Sequence, residues 1–240
     1  MMQPLQNEHQ DQSDVNTIAL DGPAASGKST VGERLAEVLD FLFFDTGVMY
    51  RAITLAALEA GIPINDEDAC SKLAENTLID VQPPSIEDGR PNDILIDGVD
   101  KTWDIRTPEV DANVSEVSAY PGVRRALTAQ QRKIGQRGKV VMVGRDIGTV
   151  VMPDARLKVF LDASVEERAR RRHLERVSRG EASNQDQVLS LLRKRDEIDS
   201  NRDVAPLCAA ADAVVINSDN LDAEQVFEIV LDLARERDLG

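Results

Sequence analysis

The chain has 240 residues, enough for one large α/β domain or two small ones with an ample core. Hydrophobic residues make up 42% and charged residues 30%, the balance of an ordinary globular protein, so wholesale disorder is excluded. With 28 Lys plus Arg against 43 Asp plus Glu, the formal charge of −15 argues against binding nucleic acid or anionic lipid over the general surface, so an anionic substrate must find a local basic site.

Residues 1–15 are polar and without periodicity, lack the cationic and apolar blocks of a signal peptide, and read as a disordered tail. Order is expected over 16–240, as a single domain. "TIAL" (17–20) reads as a strand buried on both faces, and "KSTVGERLAEVLD" after it as an amphipathic helix. Between them, Gly22-Pro-Ala-Ala-Ser-Gly-Lys-Ser fits G-x-x-x-x-G-K-[ST] in the strand-to-helix context that the motif requires. Small residues let the backbone wrap phosphate oxygens with its N–H groups, Lys28 reaches the outer phosphates, and the Ser29 hydroxyl is placed to hold Mg²⁺. The motif establishes nucleotide binding but not what is done with the nucleotide.

After the short run "FLFF", "DTGVMYR" (45–51) puts Thr46, Tyr50 and Arg51 at the start of a helix, "YRAITLAALEAG", at the edge of the sheet. Residues 78–103 hold short alternating runs broken by Pro-Pro and Asp-Gly, the pattern of an antiparallel meander. It belongs to an insert of about 63–105. "VVMV" (140–143) is a further buried strand, and Arg145 and Asp146 follow at its carboxyl end, where open α/β sheets bind ligands. Beyond "LKVFL" (157–161), residues 164–203 form two charged helices joined near Gly180. There Arg195, Asp199 and Arg202 share a helical face by four- and three-residue spacing, with Arg193 close by. "AVVIN" (213–217) closes the set of buried strands, and "DAEQVFEIVLDLARER" is a last amphipathic helix. The alternation implies a doubly wound parallel α/β sheet of about five strands flanked by helices.

Arginine clusters in so acidic a chain fit phosphoryl transfer, which needs the acceptor held in line and charge on the moving oxygens compensated. The bland readings are solvated Arg–Asp pairs on the two charged helices, a wet face for "RARRR" (168–172), and a turn role for Asp146 between Gly144 and Gly148. Cys70 and Cys208 are far apart without CxxC spacing, so neither a disulfide framework nor a zinc site is indicated and a reducing cytoplasm fits. No apolar run is long enough for a membrane span.

The blocks "DGPAASGKST", "DTGVMYRA", "RTPEVDANVSEVSAYPGVRRAL", "GRDIGTVVMPDARLKVFLDAS" and "RDEIDSNRDVAPLCAAADAVVINS", in this order over about 16–237, closely resemble the bacterial cytidylate kinases among the P-loop nucleoside monophosphate kinases. The resemblance implies transfer of the γ-phosphoryl of ATP to CMP or dCMP with Mg²⁺, in a monomer without nucleic-acid or membrane partners. It implies an ATP site at Gly22, Pro23, Ala24, Ala25, Ser26, Gly27, Lys28, Ser29 and Thr30, with Ser29 toward Mg²⁺ where the family pattern often has Gly. The insert becomes a monophosphate-binding region and residues 164–203 a lid. Thr46 matches the position that contacts cytosine, and Tyr50-Arg51 the pair that holds the acceptor phosphate. Ser115 and Arg124 match base-reading positions, Asp146 the acid that recognises the base, and Arg145 its phosphate-binding neighbour. Asp199 matches the carboxylate on the sugar hydroxyls. Lys28, Arg145, Arg195 and Arg202 are the catalytic set. Kinases for other small acceptors would share Lys28 and the lid and differ in the acceptor pocket; a slow nucleotide switch would want a magnesium-binding Asp at the end of "VVMV", where Arg145-Asp146 stands instead.

Overall fold

A computed structural model describes residues 16–202 and 204–239, so the tail expected at 1–15 lies outside the described residues. All of Thr17–Asp21 and all of Val140–Val143 are buried, which only interior strands covered on both faces satisfy. The elements run β1 (Thr17–Asp21), α1 (Lys28–Leu39), β2 (Leu42–Asp45), α2 (Gly47–Glu59), α3 (Glu67–Asn76), β3 (Ile79–Gln82), β4 (Asp93–Ile96), β5 (Val99–Asp100), α4 (Pro108–Val117) and α5 (Pro121–Gly135), then β6 (Val140–Val143), β7 (Leu157–Asp162), α6 (Val165–Ser178), α7 (Gln185–Asn201), β8 (Val214–Asn217) and α8 (Ala223–Arg235). A 3-10 turn spans Asp104–Arg106 and a π-helical turn Ile147–Val151.

Five strands form one sheet in the order β2-β6-β1-β7-β8, every pair parallel, with Thr17 opposite Val140 and Ile18 opposite Leu157. Because all five run the same way, the chain leaves Asp21, Asp45, Val143 and Asp162 along a single carboxyl edge. Alternation along the strands divides the core between two faces. Ile18, Leu20 and Val143 pack with Val31, Leu35 and Phe227 of α1 and α8, while Ala19, Phe44 and Met142 pack with Met49, Ile53 and Leu127 of α2 and α5. Each such large side chain contributes about 1.5–3 kcal/mol by burial. No helix among the described residues is long and apolar enough to cross a membrane.

The parallel sheet, the antiparallel β3-β4-β5 sheet and the helix pair α6–α7 are as the sequence implies. β8 differs: it is an edge strand with Val215 and Asn217 exposed, because only β7 pairs with it. α2 begins at Gly47 rather than Tyr50, since Asp45 Oδ1 accepts from the Gly47 N–H at 2.9 Å and starts the helix early. Helices α3, α4 and α5 follow from no periodicity singled out above. Two carry start signals all the same: the Asp66 side chain accepts from Ala69 N–H before α3, and Thr107 caps α4 with Pro108 at its first turn.

Candidate active site

The loop after β1 is shaped by contacts that exclude side chains. Gly22 has φ +144°, and a Cβ there would lie 2.1 Å from the Leu161 carbonyl oxygen. Ala25 (φ 61°) and Gly27 (φ 98°) continue in left-handed conformations, the alternation that turns successive N–H groups inward. Lys28 opens α1 with its side chain folded inside the loop, Nζ donating to the Pro23 carbonyl at 2.5 Å and lying 3.2 Å from Ser26 Oγ. Burial, reinforced by the facing Arg145, pulls its pKa down to about 7. Ser29 and Thr30 are exposed at the mouth, and Ser29 Oγ donates to Asp45 Oδ2 at 3.1 Å.

Beside this loop, a cavity of about 60 Å³ gathers Thr46, Tyr50 and Arg51 from the start of α2, Val114 and Ser118 at the end of α4, Arg124 of α5, Arg145 and Asp146 beyond β6, and Arg195, Asp199 and Arg202 from the end of α7. Thr46 Oγ1 donates to the Val143 carbonyl at 3.0 Å. Arg51 donates to the Ile105 carbonyl at 3.2 Å and pairs with Asp111 at 2.5 Å. At the floor, Arg124 Nη2 donates to Asp146 Oδ2 at 2.6 Å while its guanidinium lies 5.4 Å from the Tyr50 ring centroid. Burial pushes the Tyr50 phenol up.

Asp199 is the hub of the other wall. It accepts from Arg145 Nε and from Arg202 Nη1 at 3.4 Å, with Arg195 Nε 3.9 Å away. Arg202 also stands 3.6 Å from Asp146 Oδ1 and donates to the Ala205 carbonyl at 2.6 Å. Repulsion from Arg145, with burial second, brings Arg195 down to about 10. Arg124 Nε and Arg202 Nη2 are buried nitrogens without a hydrogen-bond partner, donors that suit an oxygen-rich ligand.

Most of the residues singled out in the sequence therefore converge. Ser115 stands apart from the cavity lining: it lies one turn before Ser118, whose hydroxyl donates to the Ser115 carbonyl at 3.0 Å, and the cavity is lined by Val114 and Ser118 instead. Arg193 is exposed and pairs with Glu166. The wet-face reading holds for Arg170 and Arg172, which pair with Glu167 and Glu175, but fails for Arg168. Arg168 is buried and donates to the Ala163 carbonyl at 2.9 Å, to the Ala24 carbonyl of the phosphate loop at 3.1 Å, and to both oxygens of Asp196 at 3.1 and 2.6 Å. The run "RARRR" carried no signal that its first member turns inward.

Three more residues were missed. Asp45 and Asp196 hold Ser29 and Arg168, as above. Asp21, buried at the end of β1, accepts backbone N–H bonds from Ile147 and Gly148 at 2.8 and 2.7 Å, and burial pushes its carboxyl up to about 6 against the opposite pull of those bonds. Its position just before Gly22 was the only hint.

Among the described residues no group of three or more His, Cys, Asp or Glu could hold a metal by itself. Mg²⁺ in nucleotide sites takes one or two protein oxygens and fills the rest from phosphates and water, so the Ser29 hydroxyl with Asp45 beside it fits that ion. Chemically, an anion-binding loop and an arginine-lined pocket meet on one sheet edge with Arg145 between Lys28 and Asp199. That arrangement can set one phosphate against another.

A family model described as cytidylate kinase matches residues 18–236. A cytidylate kinase of Chloroflexus aggregans is 51% identical over 215 residues, covering 90% of this chain and 92% of its own. Those of Herpetosiphon aurantiacus and Shouchella clausii are 49% and 48% identical, covering 91% of this chain in each case and 93% and 96% of their own.

Proposed function

Because this chain belongs to the cytidylate kinase family, we propose that the arginine-lined cavity is its acceptor site and the loop Gly22–Thr30 its ATP site. The enzyme transfers the γ-phosphoryl of ATP to CMP or dCMP, giving ADP and CDP or dCDP. Backbone N–H groups of the loop and Lys28 hold the donor phosphates. Ser29, with Asp45 behind it, holds Mg²⁺, which supplies charge neutralisation on those phosphates. Arg51 and Arg145 hold the acceptor phosphate, whose ionised oxygen is itself the nucleophile. Arg195 and Arg202, brought from α7, meet the charge that develops on the transferring oxygens. Asp199, already gripped by three arginines, is oriented toward the sugar hydroxyls. The pair α6–α7 acts as a lid that excludes water, and the β3-β4-β5 insert flanks the acceptor side. A monomeric enzyme working on nucleotides of the cytoplasm belongs to the same reading.

The observation that carries the base assignment is the buried Arg124–Asp146 pair at the cavity floor. Cytosine offers an amine donor beside a ring nitrogen and a carbonyl that accept. Asp146 and the lone pairs of Thr46 supply acceptors for the amine, and Arg124 supplies donors for the other edge. Uracil would turn a carbonyl toward the carboxylate and set one acceptor against another, a mismatch that discriminates against it.

The test is ADP release from MgATP with CMP, dCMP, UMP, AMP, GMP or no acceptor, run on the wild type and on Asp146→Asn. Strong turnover restricted to CMP and dCMP is expected, with the preference over UMP reduced at least ~10-fold in the variant. An unchanged preference in Asp146→Asn would remove that residue from base reading.

A further inference from the structure

Asp21 stands on the strand that leads into the phosphate loop, yet its carboxylate binds the segment that follows Arg145 and Asp146. It is the last residue of β1 and directly precedes Gly22, is 4% exposed, and spends both carboxylate oxygens on another segment. Oδ1 accepts from the Ile147 N–H at 2.8 Å and Oδ2 from the Gly148 N–H at 2.7 Å. These two amides open the π-helical turn that begins just after Arg145 and Asp146, and N–H groups at the start of such a turn have no partner within it. A Cβ on Gly148 would stand 3.4 Å from Asp21 Oδ2 and 3.1 Å from Lys158 Cδ. On the other flank, Gly144 N–H donates to the Leu20 carbonyl at 3.0 Å, and a Cβ there would lie 2.5 Å from Ile147 Cδ1. Residues 144–148 are thus pinned at both ends to the last two residues of β1, with Arg145 and Asp146 between the pins.

We propose that Asp21 is a positioning residue for the acceptor: its carboxylate clamps the turn bearing Arg145 and Asp146 to the strand from which the phosphate loop springs, and so sets the acceptor's place relative to the donor phosphates. This rests on the reading of Asp146 and Arg145 given above. The clamp touches no nucleotide atom. It acts because transfer is steep in distance, with a misplacement of ~1 Å costing ~10²-fold in rate.

The merely structural alternative is that Asp21 satisfies two buried amides and nothing more. Asp21→Asn keeps the shape but offers one acceptor oxygen and sets an NH₂ against the second amide. Asp21→Glu keeps both acceptor oxygens but, one methylene longer, pushes the turn away from β1. Both are measured by thermal melting and by steady-state kinetics with CMP, UMP and ATP varied in turn, beside Asp146→Asn. The expected result is that kcat with CMP falls ~10²-fold, KM for CMP rises ~10-fold and the CMP preference over UMP falls in both variants, while KM for ATP stays within about twofold. A folded Asp21→Asn with unchanged kcat, CMP KM and preference would overturn the proposal, and so would equal rises in the two KM values, which would make Asp21 part of the phosphate loop. If Asp21→Asn does not fold, Asp21→Glu decides by the same criteria. Should Asp146→Asn keep its full preference, the base assignment fails by itself, and Asp21 is judged on the split between the CMP and ATP KM values.

Discussion

Lys28 is held at about 7 in the free protein by burial and by the facing Arg145, against the weaker upward pull of Asp45 and Asp21. Nucleotide phosphates laid beside it reverse that balance, since nearby anions favour the charged amine. The sign follows directly: with the free value low and the bound value back toward the ordinary lysine range, binding takes up a proton. At about pH 8 only ~0.1 of free Lys28 is charged and essentially all of the bound form is, so ~0.9 proton should be taken up per nucleotide, falling to ~0.5 near pH 7. Near pH 8 the phosphates are fully ionised, and Asp21, at about 6, is silent. Isothermal titration with MgATP in two buffers, one of large and one of near-zero ionisation enthalpy, reads this number as the slope of the binding enthalpy. Identical enthalpies in the two buffers near pH 8 would refute the reasoning, because Lys28 would then be charged in the free protein and its two carboxylate neighbours would outweigh its burial.

Arg195→Ala separates catalysis from fold. The Arg195 side chain is 40% exposed, and Asp199 keeps Arg145 and Arg202 when it is gone. Stability should therefore change by less than ~1 kcal/mol. Turnover with saturating CMP and ATP should drop ~10²–10³-fold, and near-normal turnover would take Arg195 out of the site. Arg168→Met does the reverse. It strips Asp196 and the Ala24 carbonyl of their donor, and breaking a pair with one buried partner while Asp196 stays 24% exposed should lower stability by ~2–4 kcal/mol in denaturant unfolding. A loss below ~1 kcal/mol would show that water replaces Arg168 without difficulty.

Much of this molecule is local physics, and to that extent the sequence alone determined it. Strands with no polar gap, "TIAL" and "VVMV", can lie only in the interior of a parallel sheet. The spacing from Gly22 to Ser29 makes an anion-binding turn whatever surrounds it, and the three- and four-residue steps of Arg195, Asp199 and Arg202 put them on one face of α7. The resemblance of the ordered blocks pointed to the remaining residues of the proposed acceptor site. What tertiary structure decided are contacts between residues that no periodicity connects. Asp21 meets Ile147 because β1 lies beside β6 in parallel register; Arg145 meets Asp199 because α7 folds back over the carboxyl edge; Ser118 rather than Ser115 lines the cavity because of how α4 is rotated on α2. Arg168 shows the limit most plainly. In sequence it is the first of a run of arginines like its neighbours, and only the approach of the phosphate loop and Asp196 from two distant segments buries it while Arg170 and Arg172 stay in water. Burial of a charge depends on what arrives to pair with it, and that is a property of the assembled chain.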